Sequence, residues 1–128
     1  MVVLDTHAFI WWCNAPDRLS KAARQAAEEA DVRLVPAISV WEIGMLVAKG
    51  RLGFDRDVAT WVDEALSLPG VQLAPLSASI ALRASALPGE LHGDPADRLI
   101  VATAIDHACA LVTKDDLILR YPNVRAVW

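Results

Sequence analysis

The chain predicts an α/β fold, a three-layer α/β/α sandwich around a central, mostly parallel sheet of four to five strands. Three observations predict it. Short apolar runs of strand length, Val2–Leu4 and Ala110–Val112 among them, alternate with longer segments of helical periodicity. A strand apolar on both faces belongs in a parallel sheet covered by helices on each side. No repeat, linker or low-complexity tract divides the 128 residues, so one domain over 1–128 is expected. A chain of this length buries roughly two-thirds of the surface its unfolded form exposes.

The elements follow in order. Residues 2–4 form a first strand, and 6–13 a helix with Phe9, Ile10, Trp12 and Cys13 spaced at three and four. The alanine-rich stretch 20–30 is a helix capped by Ser20. Residues 32–35 are a second strand closed by Pro36, and 38–49 an amphipathic helix stopped by Gly50. A helix over 58–68 ends at Pro69-Gly70, a third strand spans 71–73, and a helix over 77–87 stops at Pro88-Gly89. A long helix over 95–109 carries Pro95 in its first turn, where the missing N–H does no harm. A fourth strand at 110–112, a short helix at 116–119 and a candidate edge strand at 124–127 complete the chain.

Composition narrows the function. Hydrophobic residues make up 55% of the chain, yet charged residues interrupt every apolar run well before the ~20 residues of a membrane span. The surplus predicts a core plus an oligomer or partner surface. Met1-Val2-Val3-Leu4-Asp5 has no basic leader pattern, so a cytoplasmic location is expected. Cys13 and Cys109 form neither a disulfide framework nor a metal-spaced cluster and read as buried thiols. The net charge of −4 excludes a protein that holds nucleic acid by charge over its whole surface. It does not exclude a nucleic-acid enzyme, because divalent metals invert the sign of an acidic pocket locally.

Four acids stand in segments that disfavour charge: Asp5 after Val2–Leu4, Glu42 within Ile38-Ser39-Val40-Trp41-Glu42-Ile43, Asp97 opening Asp97-Arg98-Leu99-Ile100, and Asp115 after Ala110–Val112. An unpaired carboxylate is costly to bury unless a cation compensates it. Asp5 also reads as a helix N-cap, although Thr6 would cap equally well and free Asp5 for a pocket. Glu42 has Ile38, Ser39, Met45 and Leu46 as its helical neighbours, so most of its own face is apolar. Asp94 before Pro95 reads as an N-cap, while Asp97 joins the stripe of Ile100, Val101 and Ala104. Of Asp115 and Asp116, one caps the short helix and the other faces a site; spacing does not say which. Asp5 and Asp115 both follow strands, where open parallel sheets bind ligands.

Oxygen donors of this kind favour Mg²⁺ or Mn²⁺ over zinc. His7, His92 and His107 form no ligand set, although His7 lies near enough to Asp5 to support it. The five tryptophans read as core or interface packing. Four carboxylates suit phosphodiester hydrolysis with one or two divalent ions, in which Asp5 and Asp97 are direct or bridging ligands and Glu42 and one of Asp115 and Asp116 bind directly or through water.

Through Leu4-Asp5-Thr6-His7, Ser39-Val40-Trp41-Glu42-Ile43, Asp94-Pro95-Ala96-Asp97-Arg98-Leu99-Ile100 and Leu111-Val112-Thr113-Lys114-Asp115, the chain resembles the PIN-domain family, in its VapC-like branch of toxin–antitoxin ribonucleases. The resemblance spans nearly the whole length. It implies that Asp5, Glu42 and Asp97 bind metal, and its Thr-x-Asp pattern selects Asp115 over Asp116 as the fourth acid. It also implies that Thr6 and Thr113 lie near the metal and that Arg98 helps hold phosphate; Asp116 remains a supporting candidate. Ala96 departs from the branch, which commonly has a bulky residue there. The expectation is an endoribonuclease with Mg²⁺ or Mn²⁺, a frequent homodimer, and a small antitoxin partner covering the active site. Two rival readings have different requirements. A receiver-type phosphotransfer domain requires an Asp after the third strand, and Val71-Gln72-Leu73-Ala74-Pro75 offers none. An inactive interaction module would pair its acids with a partner's basic residues.

Overall fold

The computed structural model describes residues 1–128. Five strands, β1 (Val2–Leu4), β2 (Arg33–Pro36), β3 (Val71–Ala74), β4 (Ala110–Val112) and β5 (Ala126–Val127), form one sheet in the order β3-β2-β1-β4-β5. Every neighbouring pair is parallel. Seven helices flank it: α1 (Thr6–Asn14), α2 (Lys21–Glu29), α3 (Ala37–Ala48), α4 (Val58–Leu66), α5 (Ala78–Ser85), α6 (Pro95–Asp106) and α7 (Asp116–Leu119). A 3₁₀ turn at Pro16–Arg18 follows α1.

Strand alternation divides the core into two halves. Val2 and Leu4 of β1 pack with Phe9 of α1, Ala23 and Ala27 of α2 and Trp61 of α4. Val3, one residue out of phase, packs with Ile80 and Ala84 of α5 and Ile100 and Val101 of α6. The first half is aromatic: Phe9 meets Trp61 edge-on at 5.6 Å, and Phe54 stacks on Trp61 at 4.2 Å. Trp61 Nε1 donates to Asn14 Oδ1 at 3.2 Å, so the buried indole keeps its hydrogen bond.

From β1 the chain moves outward through β2 to β3, then returns to place β4 on the other side of β1. The reversal makes the carboxyl ends of β1 and β4 the switch point where such sheets bind ligands. The Asp5 N–H donates to the Val112 carbonyl at 3.1 Å, carrying the ladder one residue past β1.

The expected elements all form, with shifted ends. Pro36 is the last residue of β2, opposite Ala74, rather than a residue beyond it. The edge strand shortens to Ala126–Val127. The helix expected over 95–109 ends at Asp106 because Ala108 turns into the left-handed region at φ 52°. There the Cys109 N–H donates to Ala104 O at 3.1 Å and the Ala108 N–H to Ile105 O at 3.0 Å, the paired bonds of a Schellman cap. Gly50, at φ 69°, closes α3 the same way, with Arg51 N–H on Leu46 O at 2.9 Å and Gly50 N–H on Val47 O at 3.0 Å. Cys13 and Cys109 are free and half-buried, and burial pushes the Cys13 thiol up to about 12. No helix is long and apolar enough to cross a membrane.

Candidate active site

The switch point opens into a cleft of about 640 Å³ whose walls include Asp5, Glu42, Asp97 and Asp115. The four acids singled out in the sequence, from four separate segments, therefore meet in one place. Thr6, Asp94 and Ile100 line it too, with His7, Trp11, Arg18 and Lys114.

Each acid has ties to the scaffold. Asp5 caps α1, its Oδ1 accepting the Ala8 N–H at 2.8 Å. Of the two candidate caps, Asp5 and Thr6, it is Asp5 that caps, and it lines the cleft as well. Thr6 is buried and engaged elsewhere: its Oγ1 lies 2.5 Å from Glu42 Oε1 and 3.0 Å from Ser39 Oγ. A hydroxyl has one proton, so Thr6 donates to the carboxylate and accepts from Ser39. Glu42 is left with Oε2 for the cleft. Asp115 caps α7 through Oδ1, accepting from Leu117 N at 2.8 Å and Ile118 N at 3.2 Å. The capping and cleft-facing roles expected of two residues thus fall to Asp115 alone, and Asp116 sits exposed in the first turn of α7 outside the cleft. Thr113 is fully buried; its Oγ1 accepts the Asp115 N–H at 3.1 Å and its side chain hydrogen-bonds Asp5.

Asp94 caps α6 as expected, accepting the Asp97 N–H at 3.0 Å, and also contributes a fifth carboxylate to the cleft. Crowding shows in the titration. Burial, then the charges of Asp94 and Asp115, push Asp97 up to about 6. Burial also raises Asp5 and Glu42 above the ordinary carboxylate range, against the hydrogen bonds from Thr113 and Thr6 that lower them.

The tightest grouping differs from the expected quartet. One donor atom each of His92, Asp97 and Asp115 lies within 4.8 Å of the others. His92 Nδ1 accepts the Asp94 N–H at 3.3 Å, so Nε2 carries the proton and stands 3.3 Å from Asp97 Oδ2. That nitrogen is buried and has no aligned hydrogen bond. His92 was missed because it sits in the 86–94 connection, where no helical or strand periodicity relates it to Asp97. Its place five residues ahead of an acid on a helix start is the one available signal.

Arg98 departs from its expected role. Its Nε donates to Ala84 O at 3.0 Å and its Nη1 to Leu91 O at 3.1 Å, tying α6 to α5 and the 86–94 connection outside the acidic cleft. Of the tryptophans, Trp61 is core, whereas Trp11 lines the cleft and Trp41 is 57% exposed. His7 also lines the cleft, its ring 5.7 Å from Trp11.

The donor set fits a divalent cation. Five carboxylates converge, three of them with protonation favoured by their surroundings, and none of them pairs with a lysine or arginine of the protein. A hard cation offsets that mutual repulsion, and carboxylate oxygens are its preferred ligands.

Comparison with known proteins gives the same frame. The PIN domain model matches residues 2–124. Ribonuclease VapC22 of Mycobacterium tuberculosis is 43% identical over 129 residues, covering 99% of this chain and 98% of that protein. Among solved structures, VapBC2 from Rickettsia felis bound to a DNA fragment from its promoter aligns with a TM-score of 0.70 at 22% identity, covering 98% of this chain and 97% of that one. A toxin–antitoxin complex from Klebsiella pneumoniae aligns at 0.68 and 20% identity, covering 97% and 95%. These two share the fold. With its α/β/α sandwich, its switch-point acids and a relative this similar over the full length, the chain belongs to the PIN domain family.

Proposed function

We propose that the chain is an endoribonuclease, the toxin of a toxin–antitoxin pair, which hydrolyses RNA phosphodiester bonds with Mg²⁺ or Mn²⁺ held by Asp5, Glu42, Asp97 and Asp115. The observation that carries the reading is the convergence of these four acids in one cleft. The relative named a ribonuclease supports the substrate class.

When bound, a divalent ion supplies the Lewis acidity that brings a water's pKa toward neutrality and polarises the phosphoryl group. The chain's own residues arrange the rest. Asp5 and Asp97 approach from the end of β1 and from the first turn of α6 and supply the principal oxygens. Glu42 offers Oε2 because Thr6, itself bonded to Ser39, holds its other oxygen. With Oε1 held by Thr6, Glu42 is also placed to help orient the attacking water. Asp115 is held by the start of α7 and presents its second oxygen.

The partners in this reading are RNA, a small cognate antitoxin and a second copy of the chain, in the cytoplasm. The toxin–antitoxin complex among the structural neighbours supports the antitoxin. Leu73 in β3, Leu76 in the connection after it and Leu82 on α5, 45%, 51% and 71% exposed, supply apolar surface for self-association. A reading frame just upstream encoding a short basic protein with a DNA-binding N-terminus would support the antitoxin assignment. The activity is tested by incubating purified protein and Mn²⁺ with an RNA oligonucleotide and the DNA of the same sequence. Internal cleavage of RNA alone is expected; no cleavage, or exonucleolytic products only, refutes the proposal.

A further inference from the structure

We propose that Arg18 and Lys114, anchored on the ring of Trp11, form a phosphate clamp that holds the single-stranded RNA beside the carboxylate cleft. The inference rests on RNA being the substrate and adds how an acidic cleft retains it.

The cleft poses an electrostatic problem. Five carboxylates line it on a chain of net charge −4, and the ligand to be bound is a polyanion. A metal neutralises charge at the reacting phosphate, but phosphates to either side still face acids and need cations of their own. Arg98, the sequence's candidate, is engaged with two carbonyls elsewhere.

Arg18 and Lys114 are the only lysine or arginine residues that line the cleft. They arrive from unrelated segments, Arg18 from the end of the 3₁₀ turn and Lys114 from the link between β4 and α7. Both converge on Trp11, the Arg18 Cζ 4.6 Å and the Lys114 Nζ 5.8 Å from the ring centroid. Despite the nearby acids, neither forms an ion pair. Held on the indole, their heads stand apart from the acids with donors uncommitted and exposed. An exposed cation–π contact contributes only about 0.5–1 kcal/mol, enough to orient a side chain while leaving its charge available. Trp11 lies six residues along α1 from Asp5, an axial rise of about 9 Å, and in this proposal the clamp holds a flanking phosphate rather than the scissile one. Trp11 acts here as a positioning residue, since cations already occupy its surroundings.

The test is steady-state cleavage of a single-stranded RNA oligonucleotide in Mn²⁺ by wild type, Arg18→Ala, Lys114→Ala and the double variant. Kinetics are followed across salt concentrations, with Mn²⁺ affinity measured by calorimetry. Each single substitution is expected to raise KM about 5–10-fold with a smaller effect on kcat. Each should also make log kcat/KM about 0.7 less steep against log salt, the loss of one phosphate contact to a single strand. Mn²⁺ affinity should not weaken. Arg18→Lys should recover most of the lost KM, and Trp11→Leu should shift KM and salt slope in the same direction as the double variant. A double variant matching wild type in KM and salt slope overturns the clamp alone. Wild-type protein that cleaves no RNA overturns the proposed activity and the clamp with it.

Discussion

Thr6, the first residue of α1, donates its hydroxyl proton to Glu42 on α3 across 2.5 Å, with Ser39 Oγ 3.0 Å behind it. The relay ties the helix leaving β1 to the helix leaving β2 and fixes which oxygen of Glu42 reaches the cleft. Thr6→Val keeps the shape but leaves a buried Ser39 hydroxyl without its acceptor and Glu42 without its donor. It should destabilise the protein by about 1–3 kcal/mol, read in urea unfolding. It should also weaken Mn²⁺ binding about 10-fold or more, as removal of a group that orients a ligand does. Unchanged values for both would leave the relay without a role.

His92 stands behind Asp97, its proton-bearing Nε2 3.3 Å from Oδ2. His92→Ala is expected to lower Mn²⁺ affinity about 10–100-fold, with the far-ultraviolet circular dichroism unchanged. His92→Gln, which retains a donor, should recover part of the loss. Equal Mn²⁺ affinity in wild type and His92→Ala would show that the imidazole does not act on Asp97.

Metal-free stability should depend on pH through Asp97. Its pKa rises from 3.8 to about 6 on folding, so between those values the folded state binds more protons than the unfolded state. Stability from this group is therefore present below that window and lost as pH rises through it. In EDTA, the melting temperature of wild type should fall from about pH 4.5 to 7 relative to Asp97→Asn, which lacks the titrating group. Parallel profiles for the two proteins would contradict the raised pKa.

Ala108 holds a left-handed conformation, φ 52°, that glycine adopts without a Cβ penalty. Ala108→Gly, remote from the cleft, should stabilise the fold by about 0.5–1 kcal/mol in urea unfolding. A destabilised variant would mean that the Cβ contributes more by packing than it costs in strain.

The same residue shows where the sequence was legible and where it was not. Gly50 marks the end of α3 because glycine is the residue a left-handed cap prefers, whereas Ala108 makes an equivalent cap with no such mark, so α6 ends three residues before the end of the 95–109 span that its sequence suggests. The parallel sheet was legible because Val2–Leu4 and Ala110–Val112 are apolar on both faces. Glu42 was legible because no structural role suited a carboxylate among Ile38, Met45 and Leu46. Hydrogen-bond direction and loop path were not. Periodicity does not say that Thr6 points at Glu42 rather than capping its own helix, that Arg98 turns to the Ala84 and Leu91 carbonyls, or that the 86–94 connection folds His92 onto Asp97. Those depend on contacts between segments far apart in the chain.

The central claim is that Asp5, Glu42, Asp97 and Asp115 jointly hold a divalent ion. Calorimetric titration of Mn²⁺ into wild type and Asp5→Asn at neutral pH tests it most directly, with circular dichroism to verify that both are folded. Wild type should bind one or two ions, and Asp5→Asn should bind at least about 100-fold more weakly, because it loses a ligand rather than a group behind one. Absence of binding to folded wild type, or equal affinity in Asp5→Asn, would contradict the account.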